Sequence, residues 1–327
     1  MIGISICGIG KIGEVHVRNL AGLRGCRLTG LYDQDPSRAC SLGSELSIPV
    51  YRSFKEVLAD EAATAVVVAT PSDSHASVAC AAMQAGKHVF VEKPLASSLE
   101  DCEQILSVAR STGLIAQAGF CERFNPNHLE AKRAVKEGRL GEVRAIHTSR
   151  FAPYGMSDPA WPLGVLDTSV HNLDLILWLA NQRPVSVLAW GTRVYPESDI
   201  CHSATILLRF ENGAMAVEHI AWLQDDGHPL NQCARSRMTV QGSKGAFFID
   251  LHVRPSAYVT GGEYRQIDTV ILGGPGYAGC LRAQFDSFLE SIETGAPVLS
   301  PLEDAILTER VVIAAKESLA SGKEVAV

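Results

Sequence analysis

Gly8-Ile9-Gly10-Lys11-Ile12-Gly13 is the first stretch of this 327-residue chain whose residue types and spacing point to chemistry. It follows the apolar run Ile2–Cys7 at once and opens a helical stretch that begins at Glu14. In that order Gly8 permits a tight turn, Gly10 lets backbone approach a pyrophosphate, and Gly13 allows a helix to pack closely on a strand. The N-terminus of that helix adds unpaired N–H groups for an anion. An ordinary glycine turn is the competing reading, and the sequence of strand, loop and helix weighs against it. Asp33 ends the second apolar run, 33 − 13 = 20 residues past the last glycine, the spacing of an acid that accepts ribose hydroxyls. A dinucleotide is therefore expected, NAD in preference to NADP, because a carboxylate at that point repels a 2′-phosphate. Arg38 lies close enough in sequence to keep NADP open, although a solvated helix residue is the preferred reading for it.

Thr70-Pro71-Ser72-Asp73-Ser74-His75 follows the apolar run Ala65 to Ala69, and Glu92-Lys93-Pro94 follows His88 to Val91. Both stand at the carboxyl ends of expected parallel strands, where open α/β sheets bind ligands. Position alone leaves Lys93 with two readings, an amine in the cofactor crevice or a surface lysine capping a strand. The following proline holds it extended. Further on, the apolar helix after Gly164 carries Asp167, His171 and Asp174 at i, i+4 and i+7, hence on one face. An internal hydrogen-bonded network accounts for such a stripe. A metal site is disfavoured, because two carboxylates and one imidazole have no further ligand cluster nearby.

The elements that must position these residues can be read from the same chain. Ile2 to Cys7, Arg27 to Tyr32, Ala65 to Ala69, His88 to Val91 and Leu114 to Ala118 are continuous apolar runs, as expected for parallel strands covered on both faces. Ser53 with Glu56 caps one intervening helix, and Gly86 stops another that starts near Ser74. Past about residue 120 the rhythm becomes α+β, with helices near His128 to Glu137 and Asp167 to Ala180 and then mostly strands. Glu211-Asn212-Gly213 and Gln241-Gly242-Ser243-Lys244-Gly245 read as hairpin turns, and Ser300, Pro301 and Glu303 start a last helix that Gly322 stops. The expected division is a dinucleotide-binding domain over 1–120 and a second domain over 121–327, with the last helix, about 301–321, packing back on the first.

Composition bounds the function. Lys plus Arg against Asp plus Glu gives 29 − 36 = −7, which disfavours nucleic acid and anionic membrane as partners. No apolar run reaches the roughly 20 residues of a membrane-spanning helix. Nine scattered cysteines without a C-x-x-C pair, and no export signal ahead of Ile2, make the cytoplasm the expected location.

Gly8-Ile9-Gly10-Lys11-Ile12-Gly13 with His16, Thr70-Pro71 with His75, Ala85-Gly86-Lys87-His88-Val89 leading to Glu92-Lys93-Pro94, and Asp167-x-x-x-His171-x-x-Asp174 together resemble the glucose-fructose oxidoreductase and inositol dehydrogenase family, Gfo/Idh/MocA. The resemblance spans nearly the whole chain. It implies an α/β protein with an N-terminal Rossmann domain and a C-terminal α+β domain whose large open sheet, mostly antiparallel, forms a substrate wall and a subunit interface. A homodimer or homotetramer follows. It also implies Lys93, Asp167 and His171 as the catalytic trio, a cis Lys93–Pro94 peptide, and a cofactor site that includes Gly8, Gly10, Lys11, Ile12, Gly13, Asp33, Thr70, Pro71, Ser72, His75, Glu92 and Lys93. Arg123, Arg150, Tyr154 and Trp222 are placed around the substrate by position only, and Trp222 serves equally as strand-end packing. Many relatives carry a glycine-rich run where Trp161-Pro162-Leu163-Gly164-Val165-Leu166 stands here, so a reshaped substrate rim is expected.

The chemistry implied is oxidation of a secondary alcohol of a polyol or sugar, with hydride passing to nicotinamide. His171 is the first choice of base because its ordinary pKa is near neutrality, with Asp167 orienting it and Lys93 hydrogen-bonding the developing alkoxide. The rivals are an NADPH-dependent reductase of a sugar ketone or aldehyde, and a nucleotide-binding regulator of the same fold without turnover.

Overall fold

The structure, a computed structural model, describes residues 1–153, 164–195, 199–224, 235–250, 256–260, 263–267 and 279–327. The chain divides into two compact units, one made of Met1–Asn125 with Ile271–Ile306 and the other of Pro126–Val270 with Leu307–Val327.

In the first unit β1 (Ile2–Cys7), β2 (Cys26–Tyr32), β3 (Ala65–Val68), β4 (His88–Val91) and β5 (Ala116–Ala118) form a parallel sheet in the order β2-β1-β3-β4-β5. Every residue of β1 and β3 is buried, which is why these strands read as unbroken apolar runs. The helices between them are α1 (Lys11–Ala21), α2 (Pro36–Leu46), α3 (Phe54–Ala59), α4 (His75–Gln84) and α5 (Leu99–Thr112). Their ends follow local chemistry: Asp35 accepts from the Ser37 amide at α2, Ser53 from the Glu56 amide at α3 and Ser98 from the Asp101 amide at α5.

The core of this unit joins Ile4, Ile6, Val17, Leu20, Leu31 and Phe90 to Phe285, Phe288 and Leu289 of a helix from the far end of the chain. The expected division at residue 120 therefore omits a returning segment. Phe285 and Phe288 cover the sheet with their rings near Phe90, and Gln117 Nε2 donates to the Gln284 carbonyl at 3.0 Å.

In the second unit α6 is Pro126–Lys136 and α7 is Leu166–Ala180; α8, the helix from the far end that completes the first unit, is Cys280–Thr294, and α9 is Leu302–Ser321. The strands are β6 (Val143–Pro153), β7 (Pro184–Thr192), β8 (Ser203–Phe210), β9 (Met215–Gln224), β10 (Arg235–Gly242), β11 (Gly245–Asp250), β12 (Ser256–Thr260), β13 (Glu263–Ile267) and β14 (Val325–Ala326). Among the described residues they make one sheet in the order β13-β12-β11-β10-β6-β9-β8-β7-β14, antiparallel throughout except for the parallel pair β6–β9. Gly213 turns β8 into β9 at φ 83°, as its hairpin position requires. The β10–β11 turn is tighter than expected: pairing continues to Gln241–Ala246 and both flanking glycines belong to strands.

One face of this sheet is apolar and covered. Ala204, Ile206, Leu208 and Phe210 alternate inward along β8, and α7 packs on β6 and β9. Glu218 sits on that covered face with no exposure, accepting a hydrogen bond from the Ser169 hydroxyl of α7. Burial pushes its carboxyl up to about 7, against the opposing pull of the Ser169 hydrogen bond and the Arg150 charge. A raised carboxyl favours the folded state at pH below its ordinary 4.5, and that contribution is lost as pH rises through about 7. Glu218→Gln keeps an acceptor for Ser169 and cannot ionise. Relative to wild type its stability is expected to improve by on the order of 1–3 kcal/mol between about pH 5 and about pH 8. Thermal unfolding of both proteins across that range measures it, and parallel curves would show that Glu218 does not ionise there.

Candidate cofactor and catalytic site

The glycine loop has the geometry its spacing suggests. Gly8 has φ 93°, and a Cβ on it would lie 2.4 Å from the Ala69 carbonyl oxygen. A Cβ on Gly13 would lie 1.9 Å from the Gly8 carbonyl oxygen, so only glycine lets α1 approach β1 this closely. Gly10 differs, because a Cβ there would meet no atom within 4 Å. Its backbone is ordinary, at φ −78° and ψ −168°, and it caps α1 without a side-chain hydrogen bond. An open approach thus leads to the uncapped positive end of a helix, which fits a pyrophosphate.

Asp33 closes the same site from β2. Its Oδ2 accepts the Ile9 amide at 2.6 Å and its Oδ1 the Asp35 amide at 2.8 Å. An ionised carboxylate has roughly four lone-pair positions, so acceptor capacity remains for ribose hydroxyls. Arg38 lies on the exposed side of α2 with Nε 3.4 Å from Asp35 Oδ2, the surface role expected for it. The open position at Gly10, the helix end without a side-chain cap and the anchored carboxylate together fit a dinucleotide.

Thr70 and Pro71 follow β3, Ser72–Ser74 forms a short 3-10 turn, and His75 starts α4. His75 is buried, with Nε2 2.7 Å from the Thr70 carbonyl and Nδ1 3.0 Å from the Pro94 carbonyl. It therefore ties the end of β3 to the turn after β4. The Lys93–Pro94 peptide is cis, as the resemblance implies. Lys93 is half-buried, and its amide donates to Glu92 Oε2 at 2.9 Å. Lys87, just ahead of β4, is buried and donates to the Asp60 and Ala63 carbonyls at 2.7 Å each. It anchors the start of the strand that ends at Lys93.

In the second unit Asp167 and His171 are half-buried on α7, one turn apart, and Asp174 is fully buried one turn further. The rest of the helix is apolar and buried at Leu166, Val170, Leu173, Ile176 and Leu177, which fixes its rotation. The proposed trio is thus divided, Lys93 in the first unit and Asp167 with His171 in the second.

The substrate residues placed by position fare differently. Arg123 is 1% exposed and its Nη1 donates to the Leu299 carbonyl at 3.0 Å and to Asp304 Oδ2 at 2.6 Å. This buried guanidinium holds the start of α9. Trp222 is fully buried in a cluster with Ala152, Val165, Ala204 and Ile220, the packing role that was its alternative. Arg150 is buried, donating from Nε and Nη2 to Asn172 Oδ1 at 3.2 and 3.1 Å. Tyr154 and the Trp161-Pro162-Leu163 stretch lie outside the described residues. Sequence reasoning missed the contact of His16 with Glu92, although both residues stand within the motifs that carry the resemblance.

Residues 2–120 match the GFO/IDH/MocA oxidoreductase family with its NAD-binding Rossmann fold, and residues 128–248 match the GFO/IDH/MocA C-terminal domain. The chain belongs to this family of oxidoreductases, and its first unit is the family's NAD-binding fold. Among its relatives, the inositol 2-dehydrogenase of Rhizobium meliloti is 26% identical, with 100% of this chain and 99% of that protein covered. The scyllo-inositol 2-dehydrogenase (NAD(+)) of Bacillus subtilis is 28% identical over 98% of this chain and 95% of that one. Among solved structures, an aldose-aldose oxidoreductase from Caulobacter crescentus complexed with glycerol has a TM-score of 0.83 at 25% identity, covering 100% and 99% of the two chains.

The glycines separate binding from folding. Gly10→Ala is expected to leave stability within about 1 kcal/mol of wild type, because its backbone suits alanine. It should weaken NAD binding roughly tenfold or more, because a methyl group then stands where the pyrophosphate approaches. Gly13→Ala should instead destabilise the fold by roughly 1–3 kcal/mol through overpacking. Thermal unfolding and NAD titration read the two effects, and undiminished NAD binding by Gly10→Ala would place the pyrophosphate elsewhere.

Proposed function

We propose that the protein oxidises a secondary alcohol of a cyclic polyol or sugar with NAD, in the manner of an inositol dehydrogenase. The observation that carries this reading is a lysine, Lys93, two residues past the carboxyl end of β4 in an NAD-binding sheet, in a chain that resembles inositol 2-dehydrogenases over its full length. Bound nicotinamide supplies the acceptor for the hydride that leaves the carbinol carbon. The chain's residues manage the proton. His171 takes it from the hydroxyl, Asp167 one turn before it supports the imidazolium that forms, and the Lys93 ammonium donates to the oxygen as charge develops. Asp33, with both oxygens already anchored, favours the unphosphorylated ribose of NAD. The cytoplasm suits the thiols, since no cysteine among the described residues forms a disulfide.

Lys93→Met and His171→Ala are each expected to lower turnover by roughly two orders of magnitude with NAD binding retained. The assay is growth of reduced-nicotinamide absorbance with myo-inositol, scyllo-inositol, glucose, xylose and galactose, in NAD and in NADP. Wild-type turnover by either variant removes that residue from the chemistry. If NAD binds and no compound of the panel reacts, the reading as a regulator without turnover replaces this one.

We also propose a homodimer or homotetramer formed on the open face of the second unit's sheet. By strand register Trp190, Met215, Leu223 and Phe248 share that face, and they are 54%, 49%, 42% and 40% exposed, apolar side chains that a second copy would cover. Light scattering should give two or four times the 35.1 kDa chain mass, and Trp190→Arg with Leu223→Arg should shift it to one. A wild-type monomer overturns the assembly.

A further inference from the structure

Glu92 is an acid taken almost wholly out of water, at 5% exposure, and a buried carboxylate persists only with fixed partners. It has one on each oxygen: His16 Nε2 stands 2.7 Å from Oε1, and the Lys93 amide donates to Oε2 at 2.9 Å. Burial pushes this carboxyl up, but the His16 hydrogen bond and the neighbouring His16 and Lys93 charges outweigh it and hold the group below its ordinary value. The ionised form accepts and cannot donate, so His16 Nε2 carries the proton of the shared bond.

His16 is fully buried and cannot turn away. Its ring meets Phe90 and Phe285 edge-on, with centroids 5.7 and 4.9 Å distant. Its Nδ1 has no hydrogen-bond partner among the described residues, an arrangement that simple core filling would not retain. Gly119 completes the seat, because a Cβ there would crowd the Cα, Cδ and Oε1 of Glu92 at 3.1 Å each. His16 also lies on α1, six residues after Gly10, so one helix carries both the phosphate loop and the mount for Glu92.

We propose that His16 and Glu92 are positioning residues for Lys93: the carboxylate bridges a caged imidazole on α1 to the Lys93 backbone and thereby fixes where the amine is presented. This rests on the proposed role of Lys93 in turnover. Neither residue touches the reacting atoms. A displacement of about 1 Å in a catalytic group costs up to a hundredfold in rate, which sets the scale of the effect.

The test is a mutant cycle in the full chain with NAD and the best substrate of the polyol panel. His16→Phe keeps the aromatic packing and loses the bond, Glu92→Ala loses both bonds, and Glu92→Gln keeps an oxygen for the Lys93 amide and an NH2 for a neutral His16. His16→Phe and Glu92→Ala are expected to lower kcat by about tenfold to a hundredfold with KM within about twofold of wild type, and in His16→Phe, which lies outside the cofactor site, the NAD Kd should also stay within about twofold. Glu92→Gln should recover most of that loss. On a Lys93→Met background the same changes should cost nothing further, since they act through the amine, whereas a merely structural role gives additive losses. Labelling of Lys93 by an amine-acylating reagent, read by mass spectrometry against the other lysines, should change at least about threefold in rate in His16→Phe and Glu92→Ala. Wild-type kcat in both variants, additive losses on the Lys93→Met background, or unchanged Lys93 labelling in a folded variant overturns the proposal. If Lys93→Met itself turns over normally, it is the role of Lys93 that fails.

Discussion

A charge removed from water must be met by partners held in place, and in both units that requirement decides where functional groups stand. In the first unit Glu92 lies between His16 and the Lys93 amide, and Arg123 closes on Asp304 and the Leu299 carbonyl. In the second, the partners of Glu218, the Ser169 hydroxyl and the nearby Arg150 charge, do not outweigh burial, and its carboxyl is pushed up. Each of these groups joins elements that apolar packing alone would leave free to slide. Apolar contacts are non-directional and set which faces meet, while a buried carboxylate or guanidinium sets the register to within the length of a hydrogen bond. Lys93 and helix α7 each stand beside such a group, through the Lys93 amide on Glu92 and the Ser169 hydroxyl on Glu218.

Much of the fold was legible because the information is local. The parallel strands are buried on both faces, so their composition betrays them: the expected Ile2 to Cys7 and His88 to Val91 coincide with β1 and β4 to the residue. The helix that Ser53 starts was marked by its cap, and Asn212-Gly213 marked the β8–β9 turn because that position needs a left-handed residue. Helix α8 was not legible as part of the first unit. Nothing near Phe285 or Phe288 announces that they will pack against Phe90 nearly two hundred residues earlier. Similarly, the glycine loop and Asp33 were readable because ligand spacing is a short-range property. The Glu92–His16 contact is not, since the two residues are 76 positions apart and only the fold makes them neighbours. Arg123 shows the converse: position suggested a substrate contact, whereas its burial and its hydrogen bonds to the Leu299 carbonyl and Asp304 tie it to the start of α9.

The two helices to which the proposed chemistry is assigned reach rigidity by different routes, and the difference follows from what each would present. Helix α1 offers backbone N–H groups at its end, so it has to be placed along its axis. Gly13 against the Gly8 carbonyl does this, since any larger residue pushes the helix off the strand. Helix α7 offers side chains, Asp167 and His171, so it must be fixed in rotation. A helix buried on most of its surface, with Val170, Leu173 and Ile176 packed and Ser169 bonded to Glu218, cannot turn without exposing apolar area or breaking that bond. At about 25 cal/mol per Å² of apolar surface, exposing one leucine alone costs about 2 kcal/mol, enough to keep His171 on one bearing. The polar stripe on a mostly apolar helix thus has a division of labour in the proposed mechanism: the apolar residues hold the bearing, and Asp167 and His171 would use it.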